Sequence, residues 1–143
     1  MKLSTKARYA VRSLLDLALN YKGRPVQIKE IAERQDVSVR YLENLFTKLR
    51  ANGILVSEKG KGGGFLLARP SEEIKLLDVI STVEGDLSLV NCVKSPSQCK
   101  RSSSCVMKDL WADLSQAMIR SLKSKTLKDL VKDYHTKISK QTA

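Results

Sequence analysis

The sequence predicts a mainly α-helical chain with one small β-hairpin, and three observations carry that prediction. Apolar residues recur at intervals of three and four through most of the 143 residues. A single glycine-rich stretch, Gly60 to Gly64, separates two short apolar runs, as a hairpin tip does. A second pair of helical stripes follows an interval rich in serine and holding every cysteine of the chain. With 42% hydrophobic and 29% charged residues, the composition suits a folded chain with a modest core. The apolar runs, such as Phe65-Leu66-Leu67-Ala68, fall far short of the roughly 20 residues that cross a bilayer. No apolar stretch follows Lys2 and Lys6, so the expectation is no secretory signal and a cytoplasmic location.

The first helix runs from Ser4 to about Tyr21, with Ala7, Val11, Leu14, Leu15 and Ala18 on one face and Ser4 or Thr5 as N-cap. Gly23-Arg24-Pro25 breaks it. Ile28, Ile31, Ala32 and Gln35 line a short second helix, and Asp36-Val37 turns the chain into Ser38, whose hydroxyl can cap a third. There Leu42, Leu45, Phe46 and Leu49 occupy i, i+3, i+4 and i+7 until Asn52-Gly53 ends the helix.

Two short helices joined by a turn of about three residues form a helix-turn-helix. Its outward face presents Ser38, Arg40, Tyr41, Glu43, Asn44, Thr47 and Lys48. Arg40 can donate twice to guanine, Asn44 can pair with adenine and Glu43 can accept from cytosine N4, while Tyr41 and Lys48 suit phosphate. An ordinary solvated helix face would also be polar. Ile54-Leu55-Val56-Ser57 and Phe65-Leu66-Leu67-Ala68 read as two strands around a glycine-rich tip, a wing, with Lys59 and Lys61 placed for a minor groove or phosphate. The tip is not a nucleotide loop, because Gly-x(4)-Gly-Lys-Ser/Thr is missing and no helix follows at once.

The charge distribution agrees. The net charge is +11, and residues 1–67 alone carry 13 basic against 6 acidic groups. Such a surplus favours a polyanion, since each phosphate neutralised releases condensed counterions. Residues 68–91 are acidic by three charges, and residues 92–108 hold four basic and no acidic groups.

After Pro70-Ser71, Ile74, Leu77, Val79, Ile80 and Val83 read as a helix ending at Gly85. Asp86 to Ser104 lacks periodicity and reads as a loop. Cys92, Cys99 and Cys105 lie in or beside it, spaced Cys-x(6)-Cys-x(5)-Cys, among Lys94, Lys100, Arg101 and Lys108. Thiolates ligate zinc and iron-sulfur clusters alike, and neighbouring cations offset their negative charge. The wide gaps lean towards a cluster rather than zinc; redox-active thiols and inert cysteines are the alternatives. Leu110, Trp111, Leu114, Ala117, Met118 and Leu122 stripe a helix of about 16 residues, and Thr126 with Asp129 forms a capping box ahead of Leu127, Leu130, Val131 and Tyr134. The stripe is wider than a small module must cover, so the helix is expected to pair with its own copy in a two-fold dimer, against the alternative of folding back on its own domain. The organisation expected is a winged helix-turn-helix domain over 1–85, a cysteine loop over 86–106, and a long dimerisation helix with a C-terminal helix over 107–143. With His135 the sole histidine, no nucleophile-His-acid set can be assembled, and an enzyme is not expected.

The opening Met1-Lys2-Leu3-Ser4-Thr5-Lys6-Ala7-Arg8-Tyr9-Ala10, the stretch from Ile31-Ala32 through Val37-Ser38 to Tyr41-Leu42-Glu43, the run Arg50-Ala51-Asn52-Gly53-Ile54-Leu55, the wing and the cysteine triplet resemble the bacterial winged-helix regulators of the superfamily that contains the iron-sulfur cluster regulator IscR. The resemblance implies a homodimeric transcription factor that binds double-stranded operator DNA, takes no small-molecule substrate and holds an iron-sulfur cluster, [2Fe-2S] in preference to [4Fe-4S], on Cys92, Cys99 and Cys105. It also implies control of cluster biogenesis genes; relatives respond to nitric oxide or to cysteine supply. Two positions depart from the pattern. Lys108 stands where IscR-like members have a histidine ligand, and Arg8 stands where the nitric-oxide-sensing members have an acidic one. Asp109, Met107, an exogenous thiol or water are the remaining candidates for a fourth ligand.

Overall fold

The computed structural model describes residues 3–142. Helix α1 spans Thr5–Asn20, α2 Ile28–Gln35 and α3 Val39–Ala51; strands β1 (Leu55–Glu58) and β2 (Gly64–Leu67) follow, then α4 (Leu76–Glu84), α5 (Asn91–Lys94), α6 (Val106–Ser124) and α7 (Leu127–Thr142), with 3-10 turns at Ser71–Glu73 and Pro96–Gln98. The predicted fold class holds: a mainly helical chain with one antiparallel hairpin.

Ser4 caps α1, its hydroxyl accepting from the Ala7 N–H at 3.1 Å. The fully buried stripe of α1 is Ala7, Ala10, Leu14 and Leu17, with Val11, Leu15 and Ala18 half-buried along its edges. One charged residue shares that buried face. The Asp16 carboxylate accepts from Arg34 Nε at 3.0 Å and Nη2 at 2.7 Å and from Gln35 Nε2 at 2.9 Å, locking α1 to the end of α2. This hydrogen bonding raises the Arg34 pKa above its ordinary value and repays the burial of a charge.

The turn between α2 and α3 is made by Asp36 in the left-handed region (φ 56°), its N–H reaching the carbonyls of Ala32 and Glu33. Ser38 then caps α3 by accepting from the Tyr41 N–H at 3.1 Å. All four predicted inward residues of α3, Leu42, Leu45, Phe46 and Leu49, are buried.

The strands of the wing lie one residue from the expected ranges at each end, and Leu55 pairs with Leu67, Ser57 with Phe65 and Glu58 with Gly64. Two contacts hold the hairpin to the helices. Phe65 packs edge-on against Phe46 with ring centroids 5.0 Å apart. Phe65 also exchanges both backbone hydrogen bonds with Val26, at 2.9 and 2.8 Å, so the segment between α1 and α2 lies along the outer edge of β2. A side chain at Gly64 would run into the Val26 carbonyl, which is why this position is glycine.

Helix α4 starts at Leu76, two residues later than its apolar pattern suggests. Ile74 is buried in the extended segment before it, where its carbonyl accepts from the Leu127 N–H at 2.8 Å while the Leu76 N–H donates to the Lys125 carbonyl at 2.9 Å. This short ladder fixes the start of α7. The capping box forms as expected, with Thr126 N–H donating to Asp129 Oδ2 at 2.9 Å and Asp129 N–H to Thr126 Oγ1 at 3.2 Å, and Leu127 joins the core. Tyr134, expected on the inward face of α7, is exposed, at the rim of a recess between α7 and α1. The interval that reads as a loop contains α5 and the Pro96–Gln98 turn, elements too short to leave a period in the sequence. Helix α6 is 19 residues long, rather than about 16.

Candidate nucleic-acid interface and cysteine loop

Helix α3 buries its leucines and thereby turns its other side to solvent. Ser38, Arg40, Glu43, Asn44, Thr47 and Lys48 are all exposed, and Lys59 and Lys61 are exposed on the wing tip. Tyr41 is the exception within the predicted set. It is half-buried, and its ring stands edge-on to Tyr9 of α1, with centroids 6.0 Å apart. Tyr9 in turn lies under the Arg12 guanidinium at 4.8 Å, and Arg12 Nε donates to Gln35 Oε1 at 3.1 Å. The start of α3 is thus connected through Tyr9, Arg12 and Gln35 to the buried Asp16, which fixes its position against α1.

Two cations on this side escape a reading of the helix pattern. Lys6 shares a recess of about 460 Å³ with Tyr41, Asn44, Thr47 and Lys48, because the first turn of α1 lies beside α3. Arg50, in the last turn of α3, donates from Nη1 to Ser57 Oγ at 3.0 Å and couples that helix to β1. Lys6 gives a sequence signal only as another lysine in a basic segment; its nearness to α3 is a tertiary fact. Together these side chains form a protruding helix flanked by a cationic hairpin, a shape and charge suited to a duplex groove.

The three cysteines are free and half-buried. Cys92 lies in α5, Cys99 follows the Pro96–Gln98 turn and Cys105 immediately precedes α6. Lys108, at the position of the expected histidine, donates to Ser102 Oγ at 3.1 Å. The donor chemistry fits a thiolate-ligated centre: three unpaired thiols, with four basic and no acidic residues over 92–108. The arrangement is not yet a ligand set, since among the described residues no three His, Cys, Asp or Glu side chains are gathered closely enough for a metal ion. Asp109 and Met107, the candidate protein ligands, lie in the first turn of α6.

The loop is joined to α6 by Ser115, a buried serine whose hydroxyl accepts from the Leu89 N–H at 3.0 Å and donates to the Trp111 carbonyl at 2.8 Å. The opposite side of α6 is open, with Val106, Met107, Leu110 and Leu114 between 41% and 77% exposed. Among the described residues no helix is long and apolar enough to cross a membrane.

The family described as Rrf2, iron-dependent transcriptional regulator, matches residues 3–133. The HTH-type transcriptional regulator IscR of Cronobacter sakazakii is 40% identical over 131 residues, covering 92% of this chain and 80% of its own. Of solved structures, T. potens IscR superposes with a TM-score of 0.77 at 36% identity, covering 94% of this chain and 88% of its own. CymR, the global cysteine regulator of B. subtilis, gives 0.76 at 31% identity, covering 92% and 97%. These are regulators of transcription and not enzymes. With a capped helix-turn-helix, a wing strapped to it and a family match across most of its length, the chain belongs to the Rrf2 family of transcriptional regulators.

Proposed function

We propose that this protein is a cytoplasmic, homodimeric DNA-binding regulator that senses iron-sulfur status through Cys92, Cys99 and Cys105 and controls genes of cluster biogenesis. The observation that carries the reading is the position of three free thiols in one basic segment next to a helix with an exposed apolar face. In this reading residues 1–85 bind operator DNA, 86–106 form the sensing loop, and 107–143 supply the dimerisation helix and a C-terminal helix.

Arg40, Glu43 and Asn44 read base edges, Ser38, Tyr41 and Lys48 serve the adjoining backbone, and Lys59 and Lys61 bring charge to the minor groove or phosphate. The apolar face of α6, Val106, Met107, Leu110 and Leu114, meets its copy in the partner, and the two α3 helices then address half-sites about one DNA turn apart. Cys92, Cys99 and Cys105 would hold a [2Fe-2S] cluster, which would supply redox chemistry. Bringing Cys92, Cys99 and Cys105 onto one centre would require the segment from α5 to the start of α6 to rearrange. Ser115 and Leu89 carry that rearrangement to α6. A coupling of about 1–3 kcal/mol, roughly 5- to 150-fold in operator affinity, is typical for such a link.

The test is anaerobic purification with an absorbance spectrum and iron and sulfide analysis, on the wild type and Cys92→Ala. A chromophore lost in the variant, with changed operator choice, supports the reading. A colourless wild-type protein with the same DNA binding in both forms overturns it. A second reading, a repressor responding to cysteine supply, oxidant or nitric oxide through its thiols, is favoured by the likeness to CymR and by sulfurs that are not gathered. It expects a colourless protein whose operator binding responds to thiol oxidation, to nitric oxide or to an added partner protein.

A further inference from the structure

The segment between α1 and α2 carries Lys22 and Arg24, neither of which belongs to the recognition helix or to the wing. Both are exposed, and among the described residues neither makes a hydrogen bond or an ion pair. Unpartnered cations are common on surfaces; the placement of these two is not. The double hydrogen bond between Val26 and Phe65 is an isolated bridge that pins this segment to the outer edge of β2. Arg24 lies two residues before Val26, at most about 7 Å of backbone away. Gly64 admits that approach, because any side chain there would strike the Val26 carbonyl.

The close approach creates a recess of about 270 Å³ in which Lys22, Arg24, Asn20, Gln27 and Glu30 face Gly62 of the wing tip. Glu30 is its one acidic member, so two cations outweigh it, and Lys59 and Lys61 on the tip add to the same side of the balance. A wing that approaches a duplex therefore carries Lys22 and Arg24 with it, held by backbone hydrogen bonds rather than by a flexible linker.

We propose that Lys22 and Arg24 form a second backbone-phosphate site, which grips the DNA strand flanking the one approached by the wing tip. The proposal rests on the DNA-binding reading and extends the footprint beyond α3 and the wing. Its ligand is the sugar-phosphate backbone of double-stranded DNA, a repeating anion that an exposed pair of cations binds without regard to sequence. Asn20 Nδ2 is already committed to the Asp16 carbonyl at 2.8 Å, and the contribution proposed for the two cations goes to affinity and to salt dependence.

The experiment measures binding of the full-length protein to a mixed-sequence duplex of about 30 base pairs over a salt series, for the wild type, Lys22→Ala/Arg24→Ala and a charge-matched control, Lys137→Ala/Lys140→Ala, on the exposed end of α7. Each phosphate contact contributes about 0.9 to the slope of log affinity against log salt, so the first variant should have a slope shallower by about 1.8 per bound protomer. Raising salt from about 50 to 200 mM then weakens the wild type roughly 12-fold more than the variant. The control should keep the wild-type slope. Unfolding curves report folding directly, and all three proteins should melt alike. A wild-type slope in Lys22→Ala/Arg24→Ala, or equal flattening in both variants, overturns the proposal while leaving the DNA-binding reading standing. A wild type that shows no salt-dependent duplex binding overturns that reading itself.

Discussion

The helix-turn-helix with its wing and the stretch from Asp86 to Ser124 put their apolar side chains to opposite uses. In the first region the stripes of α1, α3 and α4 meet inside, and every buried hydrophobic residue of the described chain except Leu127 belongs to it. In the second, the only buried residue is Ser115, while Val106, Met107, Leu110 and Leu114 face outward. One region completes its core within a single chain. The other leans on that core through Leu87 and Leu122, is tied together by the Leu89–Ser115 hydrogen bond, and leaves an apolar face exposed.

That contrast can be broken most severely at its centre. Phe46 is fully buried and touches the wing through Phe65, so Phe46→Ala should destabilise the monomer by about 3–5 kcal/mol in urea unfolding and loosen the hairpin with it. A loss under 1 kcal/mol would mean that the first region does not depend on its core. The corresponding change in the second region should do the reverse. Leu110→Asp/Leu114→Asp should convert a dimer to a monomer in sedimentation at micromolar concentration, yet shift the monomer's unfolding free energy by no more than about 0.5 kcal/mol, because both positions are exposed.

Smaller changes sharpen the comparison without breaking either region. Glu43→Ala should leave folding intact and cost about 1–3 kcal/mol of discrimination at one base pair, read from affinities for single-substituted operators. Equal losses on all sequences would remove Glu43 from base reading. Thr126→Ala should lower stability by about 1 kcal/mol, since it opens the capping box at the point where α7 rejoins the first region. The same box gives a pH dependence. Bonds from the backbone and side chain of Thr126 hold the Asp129 carboxyl below the ordinary carboxylate range. A depressed carboxylate stabilises the fold above its unfolded pKa, and that contribution is lost as pH falls through the lower folded value. Stability measured from pH 6 to pH 2 should therefore fall less steeply at the acid end in Asp129→Asn than in the wild type.

The first region was largely legible in the sequence because its signals are local. Ser4 and Ser38 act on the N–H three residues on, and the leucines of α3 repeat with the helix itself. The hairpin announced itself through its glycines. What escaped is tertiary: the pairing of Val26 with Phe65, the Lys6 recess beside α3 and the aromatic contact that half-buries Tyr41 each join residues more than 30 positions apart or on separate helices. Of the cysteine loop, the sequence conveyed the composition and not the course. Four-residue turns leave no period, and the few apolar residues of the segment, Leu87, Leu89, Val90 and Val93, follow no repeat that would fix where its sulfurs lie.

In the sensing reading proposed above, the ladder that ties Lys125 and Leu127 to Leu76 and Ile74 would let α6 act as a lever. Its C-terminal end, where Leu122 packs against the core, is the fulcrum, and its other end begins at Cys105. A 19-residue helix is about 28 Å long. A tilt of about 6° at the fulcrum therefore displaces the cysteine end by about 3 Å, close to the rise of two helical residues. In the proposed symmetric pair both arms would swing together, so an adjustment no larger than a bond or two at the thiols would change the spacing of the two α3 helices.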